Sequence, residues 1–186
     1  MNSPMQIRSK DQLVEYVNHG NRAKYVFFWG HQKPKSGVSK SCFSQWYESP
    51  FEENGILYQT AEHYMMAAKA RLFCDDQSEA KVIAASNPGE AKKVGRSVVG
   101  FNEDVWCENR FEIVVQANLL KFEQNRDIGD FLRGTGERVL VEASPVDKVW
   151  GIGMATDNAA VDNPNLWKGL NLLGFALMEV RDRLSR

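Results

Sequence analysis

The chain has 186 residues, 43% hydrophobic and 25% charged, which is ordinary for one globular domain with a substantial core. Lys and Arg total 23 against 24 for Asp and Glu, so the formal net charge is -1. No global field would therefore hold the protein on nucleic acid or on an anionic membrane, and any anionic partner must be held by a local cluster of charge.

The cysteines and histidines show no spacing typical of a metal site. They are Cys42, Cys74, Cys107, His19, His31 and His63. The cysteine number is odd and no CxxC pair occurs, so we expect no metal site. No apolar run approaches the ~18 residues that span a bilayer, and the amino terminus lacks the apolar core of a signal peptide. These features predict a reduced, cytoplasmic protein that does not enter a membrane.

The amino-terminal stretch predicts a short helix followed by a buried strand. Ser9 can cap a helix that runs through Val17 and ends at His19 and Gly20, and residues 25–29 (YVFFW) have the apolar, aromatic composition of a strand. We therefore place an N-terminal helical extension at residues 1–24 and the main domain at residues 25–186.

The middle of the chain predicts a hairpin and then helices. Asn54-Gly55 lies between two short arms in residues 51–58, which is the strongest local signal for a hairpin. Helical patterns follow at 58–70, 76–85, 88–95, 102–124, 126–133 and 167–184, and residues 138–144 have strand composition. For the last helix we expect Leu170, Leu173, Leu177, Val180 and Leu184 to point inward.

Helices outnumber strands in this pattern, and the strands do not alternate regularly with helices. A doubly wound parallel sheet is therefore improbable. The predicted fold class is α+β, predominantly helical, in one domain with a small antiparallel sheet.

The helix YQTAEHYMMAAKA carries two charges beside its apolar stripe. At ~100° per residue, Lys69 returns to within ~20° of Glu62, about two turns further along, so both lie on one face. The stripe itself is Ala61, Tyr64, Met65, Ala68 and Leu72. Either the two charges form a solvated edge with a loose ion pair, which is common, or they line a pocket wall.

The stretch ASPVDKVWGIGM joins a strand to a turn. Asp147, Trp150, Gly151 and Gly153 would allow close backbone approach to a ligand and supply an aromatic plate. The alternative is a packing turn in which Asp147 bonds its own backbone.

Two further residues are candidates for substrate binding. Arg96, just past Gly95, has a planar fork that suits phosphate. Trp106 could be a ligand plate, although a tryptophan on a helix face is more often core. No nucleotide-binding glycine pattern and no serine or cysteine nucleophile motif is present.

Several stretches together resemble one family. They are FSQWY, YQTAEHYMMAAKA, EAKKVGR, VWCENR, KFEQN, VLVEASPVDKVWGIG and GLNLLGFALMEVR, in that order from about residue 43 to residue 181. Their order and spacing resemble the NADAR, or YbiA-like, family. FSQWY departs from the family's FSNFY-like pattern at Gln45 and Trp46, which leaves substrate preference open.

The resemblance implies a YbiA-like α+β fold and an N-glycosidase without a cofactor. The implied substrates are phosphoribosylamino-pyrimidine intermediates of riboflavin synthesis or ADP-ribose attached to guanine in nucleic acid. Glu62, Lys69 and Asp147 match family positions that we expect to be catalytic. Arg96, Trp106, Trp150 and Gly151 match positions that we expect to bind substrate.

Two mechanisms remain open from the sequence. Glu62 activates water at ribose C1, or Lys69 forms a Schiff base there, which requires a partly desolvated amine with a lowered pKa. Two non-catalytic alternatives are a reader of ADP-ribose or nucleotide phosphates and a structural partner protein. The basic loop with Lys33, Lys35 and Lys40 is a local hint of a nucleic-acid substrate.

Overall fold

The computed structural model describes residues 7–186. Along them lie α1 (Lys10–Asn18), β1 (Tyr25–Phe28), β2 (Phe51–Glu53), β3 (Ile56–Tyr58), α2 (Ala61–Leu72), α3 (Asp76–Ile83), α4 (Pro88–Gly95), α5 (Glu103–Gln124), α6 (Arg126–Arg133), β4 (Val139–Glu142) and α7 (Leu172–Arg183), with short 3₁₀ turns at Lys40–Phe43 and Pro164–Leu166. The predicted class, predominantly helical α+β, is confirmed.

The described chain divides into two compact units. Gln45–Arg126 forms the middle unit, and residues 7–44 with 127–186 form the terminal unit. The predicted extension at residues 1–24 contributes α1, which begins after its cap Ser9 as expected. Residues 1–6 of that extension lie outside the described residues, and the boundary after residue 24 stays a prediction.

The middle unit is built around α2, which packs against α3, α4 and α5. Its entry is the predicted hairpin: β2 and β3 pair antiparallel, with Phe51 opposite Tyr58. Asn54 and Gly55 have φ of 53° and 79°, the left-handed conformation that a two-residue hairpin turn of this kind requires. The hairpin therefore sets where α2 begins.

The terminal unit contains a pair of strands that run parallel. β1 and β4 pair from Tyr25 opposite Val139 to Phe28 opposite Glu142. The small antiparallel sheet that we predicted is thus confirmed only for the β2–β3 hairpin. Strand composition identified β1 and β4, but it does not encode the direction in which two segments more than a hundred residues apart meet.

Helix α7 begins five residues later than predicted, at Leu172 instead of Trp167. The backbone around residue 170 cannot form helical hydrogen bonds, because the N–H groups of residues 168 and 170–173 donate to carbonyls of residues 148–152. A Cβ on Gly169 would lie 2.2 Å from Gly151 O, so only glycine permits this contact. Leu170 is consequently 43% exposed, which contradicts its predicted inward position.

Asn171 joins α7 to β4. Its Nδ2 donates to Leu140 O at 2.9 Å, and its Oδ1 accepts from the Glu142 N–H at 2.9 Å. Gly174 lies where α7 meets β4, and a Cβ there would lie 2.0 Å from Leu140 O. The close approach of helix and strand therefore depends on that glycine.

We expect Gly174→Ala to destabilise the protein by about 3 kcal/mol or more, because an added methyl group must push backbone apart and not merely a flexible side chain. The free energy of unfolding in urea measures this. Gly134→Ala is the matched control, since a Cβ there meets carbonyl oxygens at an ordinary 3.4 Å. Equal stability of the two variants would contradict the packing described.

Within residues 7–186, no helix is long and apolar enough to cross a membrane. The same residues contain no group of three or more His, Cys, Asp or Glu side chains placed to hold a metal ion. The predicted cytoplasmic location and the predicted absence of a cofactor stay predictions.

Candidate functional site

Helix α2 is held at its first turn by a histidine. Thr60 caps the helix, because its Oγ1 accepts from the His63 backbone N–H. The His63 ring bridges Thr60 Oγ1, 2.8 Å from Nδ1, and Ala85 O, 3.1 Å from Nε2. Since a carbonyl only accepts, Nε2 carries the proton and Nδ1 accepts from the hydroxyl. Burial lowers the pKa of His63, so the ring is neutral and serves to fix this turn.

Glu62, beside that histidine, is 3% exposed. Its backbone N–H donates to Gln45 O at 3.0 Å. It occupies the second helical position of α2, where the helix dipole favours the charged carboxylate. The alternative of a solvated edge is therefore wrong for Glu62, because α2 is buried well beyond its predicted apolar stripe.

Lys69 lies two turns along α2, and its amine is enclosed by three groups that we call the Lys69 cage. Nζ donates to Gly95 O at 2.8 Å. It also lies 4.2 Å from the ring centroid of Phe101 and 5.5 Å from that of Trp106. A backbone carbonyl and two aromatic rings therefore surround the amine.

Gly95 permits the cage by bringing the end of α4 against α2. A Cβ at this position would lie 2.0 Å from Met66 Sδ, so any other residue would displace the Met66 side chain. Met66 stands one turn before Lys69 on α2. The same close approach thus carries the Gly95 carbonyl to the lysine amine.

Burial is the feature of the Lys69 environment that favours the neutral amine. Burial lowers the pKa of Lys69, and the charge of Glu103 opposes that change. The lowered pKa increases the neutral fraction, which is the nucleophilic form. The Schiff-base route requires a lysine with a lowered pKa, and the sequence alone does not determine that pKa.

Arg96 is the neighbour in sequence of one group of the cage, and Trp106 is itself a group of the cage. Arg96 follows Gly95 directly, caps the end of α4 and is exposed. Trp106 is 8% exposed and its ring faces the Lys69 amine. Arg96 is therefore placed to meet solvent-borne anions, whereas Trp106 has little free surface for a ligand; the predicted binding role of each stays a prediction.

The turn after β4, in the terminal unit, is organised by Asp147. Asp147 Oδ1 accepts from the N–H groups of Val149 and Trp150, each at 2.8 Å. Its carbonyl accepts from the Gly153 N–H at 2.9 Å. Asp147 is thus the turn former that the sequence left open, and its catalytic role stays a prediction.

Gly151 in the same turn packs against the chain itself. A Cβ there would lie 2.8 Å from Glu142 O and 3.1 Å from Asp147 O. The glycine is required by this packing, independently of any ligand. Trp150 beside it is half-buried, and its carbonyl accepts from the Leu173 N–H at 3.1 Å.

Sequence reasoning missed the buried polar residues of α5. Asn118 and Lys121 are both 0% exposed. Asn118 Nδ2 donates to Gln45 Oε1 at 2.7 Å, and Lys121 Nζ lies 5.0 Å from the Phe122 ring centroid. The signal was available: Asn118 and Lys121 continue, at helical spacing, the buried stripe through Val114.

The structure thus brings together Lys69, Trp106 and Gly95 in the middle unit. Arg96 follows Gly95 in the sequence, and Glu62 lies on the same helix as Lys69. Asp147, Trp150 and Gly151 form a second cluster in the terminal unit. Fold and side chains define a helical α+β protein whose central helix carries a buried carboxylate and a caged lysine.

Comparison with known proteins identifies the family. The NADAR domain model matches residues 27–185. N-glycosidase R617 of Acanthamoeba polyphaga mimivirus is 44% identical over 164 residues, covering 86% of this chain and 95% of that protein. N-glycosidase YbiA of Escherichia coli (strain K12) is 30% identical over 145 residues, covering 78% and 80% respectively. The chain therefore belongs to the NADAR family.

The fold agrees with this assignment. The NMR structure of E. coli YbiA superposes with a TM-score of 0.67 at 25% sequence identity, covering 89% of this chain and 87% of that one. The suspected resemblance to YbiA-like proteins is confirmed, and the two N-glycosidase relatives match 86% and 78% of the chain.

Proposed function

We propose that this NADAR N-glycosidase hydrolyses the bond between ribose C1 and a nitrogen of an aminopyrimidine or guanine, in a substrate that carries phosphate on the ribose. The observation that carries the proposal is the presence, on one helix, of the buried Glu62 and the caged Lys69. The substrate would be a phosphoribosylamino-pyrimidine or ADP-ribosylated guanine in nucleic acid. The relatives' names support the reaction class alone.

In the proposed mechanism, neutral Lys69 attacks C1 and the C1–N bond breaks, while the Glu62 carboxylate takes the proton that the attacking amine loses and passes it to the leaving nitrogen. The new glycosylamine opens to an imine between C1 and Nζ, with a proton transferred to the ring oxygen. Water then adds to the imine carbon, and the resulting carbinolamine loses the amine, so that the C1–Nζ bond breaks and the sugar aldehyde and free Lys69 are released. In the alternative route, Glu62 removes a proton from water that attacks C1 directly.

Arg96 takes a supporting role in this proposal. It holds phosphate, because its exposed guanidinium follows the cage directly in sequence. The substrate roles expected of Asp147, Trp150 and Gly151, which lie in the terminal unit, stay predictions. A non-catalytic reader of phosphates gives no reason to bury Glu62, because a carboxylate repels phosphate.

The substrate class is tested by incubating the purified protein with both substrates, the phosphoribosylamino-pyrimidine and ADP-ribosylated guanine in a DNA oligomer, and quantifying released sugar by mass spectrometry. We expect release from one of them. Binding of ADP-ribose with release from neither would contradict the proposal and favour a reader. If the oligomer is cleaved, its affinity should fall as salt rises, because phosphate contacts release counterions.

A further inference from the structure

Phe101 is an aromatic residue of the site that the sequence patterns did not identify. It immediately precedes Asn102, whose side chain caps α5 by accepting from the Val105 N–H. Gly100, with φ of 75°, turns the chain just before it. The Phe73 ring packs against Phe101 edge-on, with centroids 5.4 Å apart. Phe101 is therefore a positioned ring and not a loop side chain without support.

The ring of Phe101 is both open to solvent and next to the lysine amine. It is 41% exposed, whereas Trp106, the other ring of the Lys69 cage, is 8% exposed. Lys69 Nζ lies closer to the Phe101 centroid, at 4.2 Å, than to that of Trp106, at 5.5 Å. Of the two rings, Phe101 is the one with surface left for a ligand.

Phe101 also belongs to an exposed apolar stretch. Val99 is 73% exposed and Val105 is 37% exposed, so three large apolar side chains within seven residues face solvent. Exposed apolar side chains grouped in this way mark contact surfaces more often than scattered ones do. In the sequence, Val99 and Val105 lie on either side of Phe101, whose ring contacts the amine of Lys69.

We propose that Phe101 is the stacking surface for the planar base of the substrate and that it thereby holds the substrate at the Lys69 cage. The occupant is a nucleobase-like heterocycle, because every such base has a π face that an exposed aromatic ring can stack against. A base on the exposed part of the ring then shares that ring with the Lys69 amine, which lies 4.2 Å from its centroid. This inference rests on the proposed N-glycosidase function and assigns to Phe101 the plate role predicted for Trp106.

The test separates binding from hydrolysis by using Glu62→Gln as the background, so that bound substrate persists. Isothermal titration with the phosphoribosylamino-pyrimidine and with the ADP-ribosyl-guanine oligomer gives Kd for Glu62→Gln alone and with Phe101→Ala, Phe101→Trp or Leu57→Ala added. Leu57 is the matched control, because it is an exposed large apolar residue of the same unit, at 52% exposure.

We expect Phe101→Ala to weaken binding by about 5- to 100-fold, the range for loss of one base–aromatic stack. Phe101→Trp should retain affinity, and Leu57→Ala should leave it unchanged. If Phe101 had only a structural role, the larger Trp would not restore affinity for the substrate. Equal affinity of the Phe101→Ala and Leu57→Ala variants, or failure of the Glu62→Gln protein to bind either substrate, overturns the inference.

The wild-type turnover measurement tests the proposed function separately. If wild type cleaves a substrate whose Kd is unchanged by Phe101→Ala, the proposed hydrolysis is supported and the stacking role of Phe101 is wrong. If binding depends on Phe101 but wild type releases no product, the stacking role stands and the proposed hydrolysis is wrong.

Discussion

Replacing Glu62 with Gln should reduce kcat for the cleaved substrate by about 10²–10⁴-fold, the range for loss of a positioned general acid or base. The side chain keeps its shape but can neither donate nor accept the proton that both proposed routes need at the leaving nitrogen or at water. Its burial at 3% exposure means that bulk solvent does not readily replace it. Steady-state kinetics measure the effect.

Two controls make this prediction specific. Glu52→Gln removes an exposed carboxylate from β2 of the same unit and should leave kcat unchanged. The thermal midpoint of Glu62→Gln should stay within a few degrees of wild type, so that lost activity is not lost fold. Retention of more than a tenth of wild-type kcat by Glu62→Gln would remove Glu62 from the mechanism.

Replacing Lys69 with Arg should abolish covalent trapping of substrate. Borohydride reduces an imine, so wild type incubated with substrate and borohydride should gain the mass of the reduced sugar, whereas Lys69→Arg should gain none. The guanidinium keeps the positive charge and can still donate to Gly95 O, but it is not a nucleophile at neutral pH. Intact-protein mass spectrometry reads the adduct directly.

The pH dependence of trapping follows from the environment of the amine. Burial lowers the pKa of Lys69, so the neutral amine is present at lower pH than for an exposed lysine. The trapping rate should rise with pH through that lowered pKa and then level off below the ordinary lysine value. Absence of any adduct during turnover would exclude the lysine route and leave water activation by Glu62.

The local elements were predictable because each depends on interactions between residues that are close in the sequence. Asn54-Gly55 allows one tight turn, and Asn87 and Pro88 mark the start of α4, where Asn87 Oδ1 accepts from the Glu90 N–H at 3.0 Å. The helical repeat also placed Glu62 and Lys69 on one face of α2. These predictions needed only neighbours within a turn or two of the chain.

What failed depended on distant partners. The parallel pairing of β1 with β4 and the late start of α7 are set by backbone contacts between remote segments, such as Gly169 against Gly151 O. The burial of Glu62 and the cage around Lys69 arise because α3, α4 and α5 surround α2. Periodicity within α2 reports which of its faces is apolar, but not how many neighbours cover it.

Lys121 shows that a charged side chain can also be buried when it lies on the apolar stripe of a helix. A lysine at the end of an amphipathic pattern is ordinarily assigned to solvent, yet here it is 0% exposed. Its position on the buried stripe of α5 is visible in the spacing, because it lies seven residues after Val114. A charged residue that continues an apolar stripe is therefore informative in its own right.

The most direct test of the central claim is product release by wild type and Glu62→Gln, side by side, on whichever substrate wild type binds more tightly. The account predicts that wild type releases a sugar carrying phosphate and, in equal amount, forms either the free aminopyrimidine or the unmodified oligomer, and that Glu62→Gln binds the same substrate but turns over about 10²–10⁴-fold less per unit time. Equal release by both proteins, or binding by wild type with no release at all, would contradict hydrolysis by the charged face of α2.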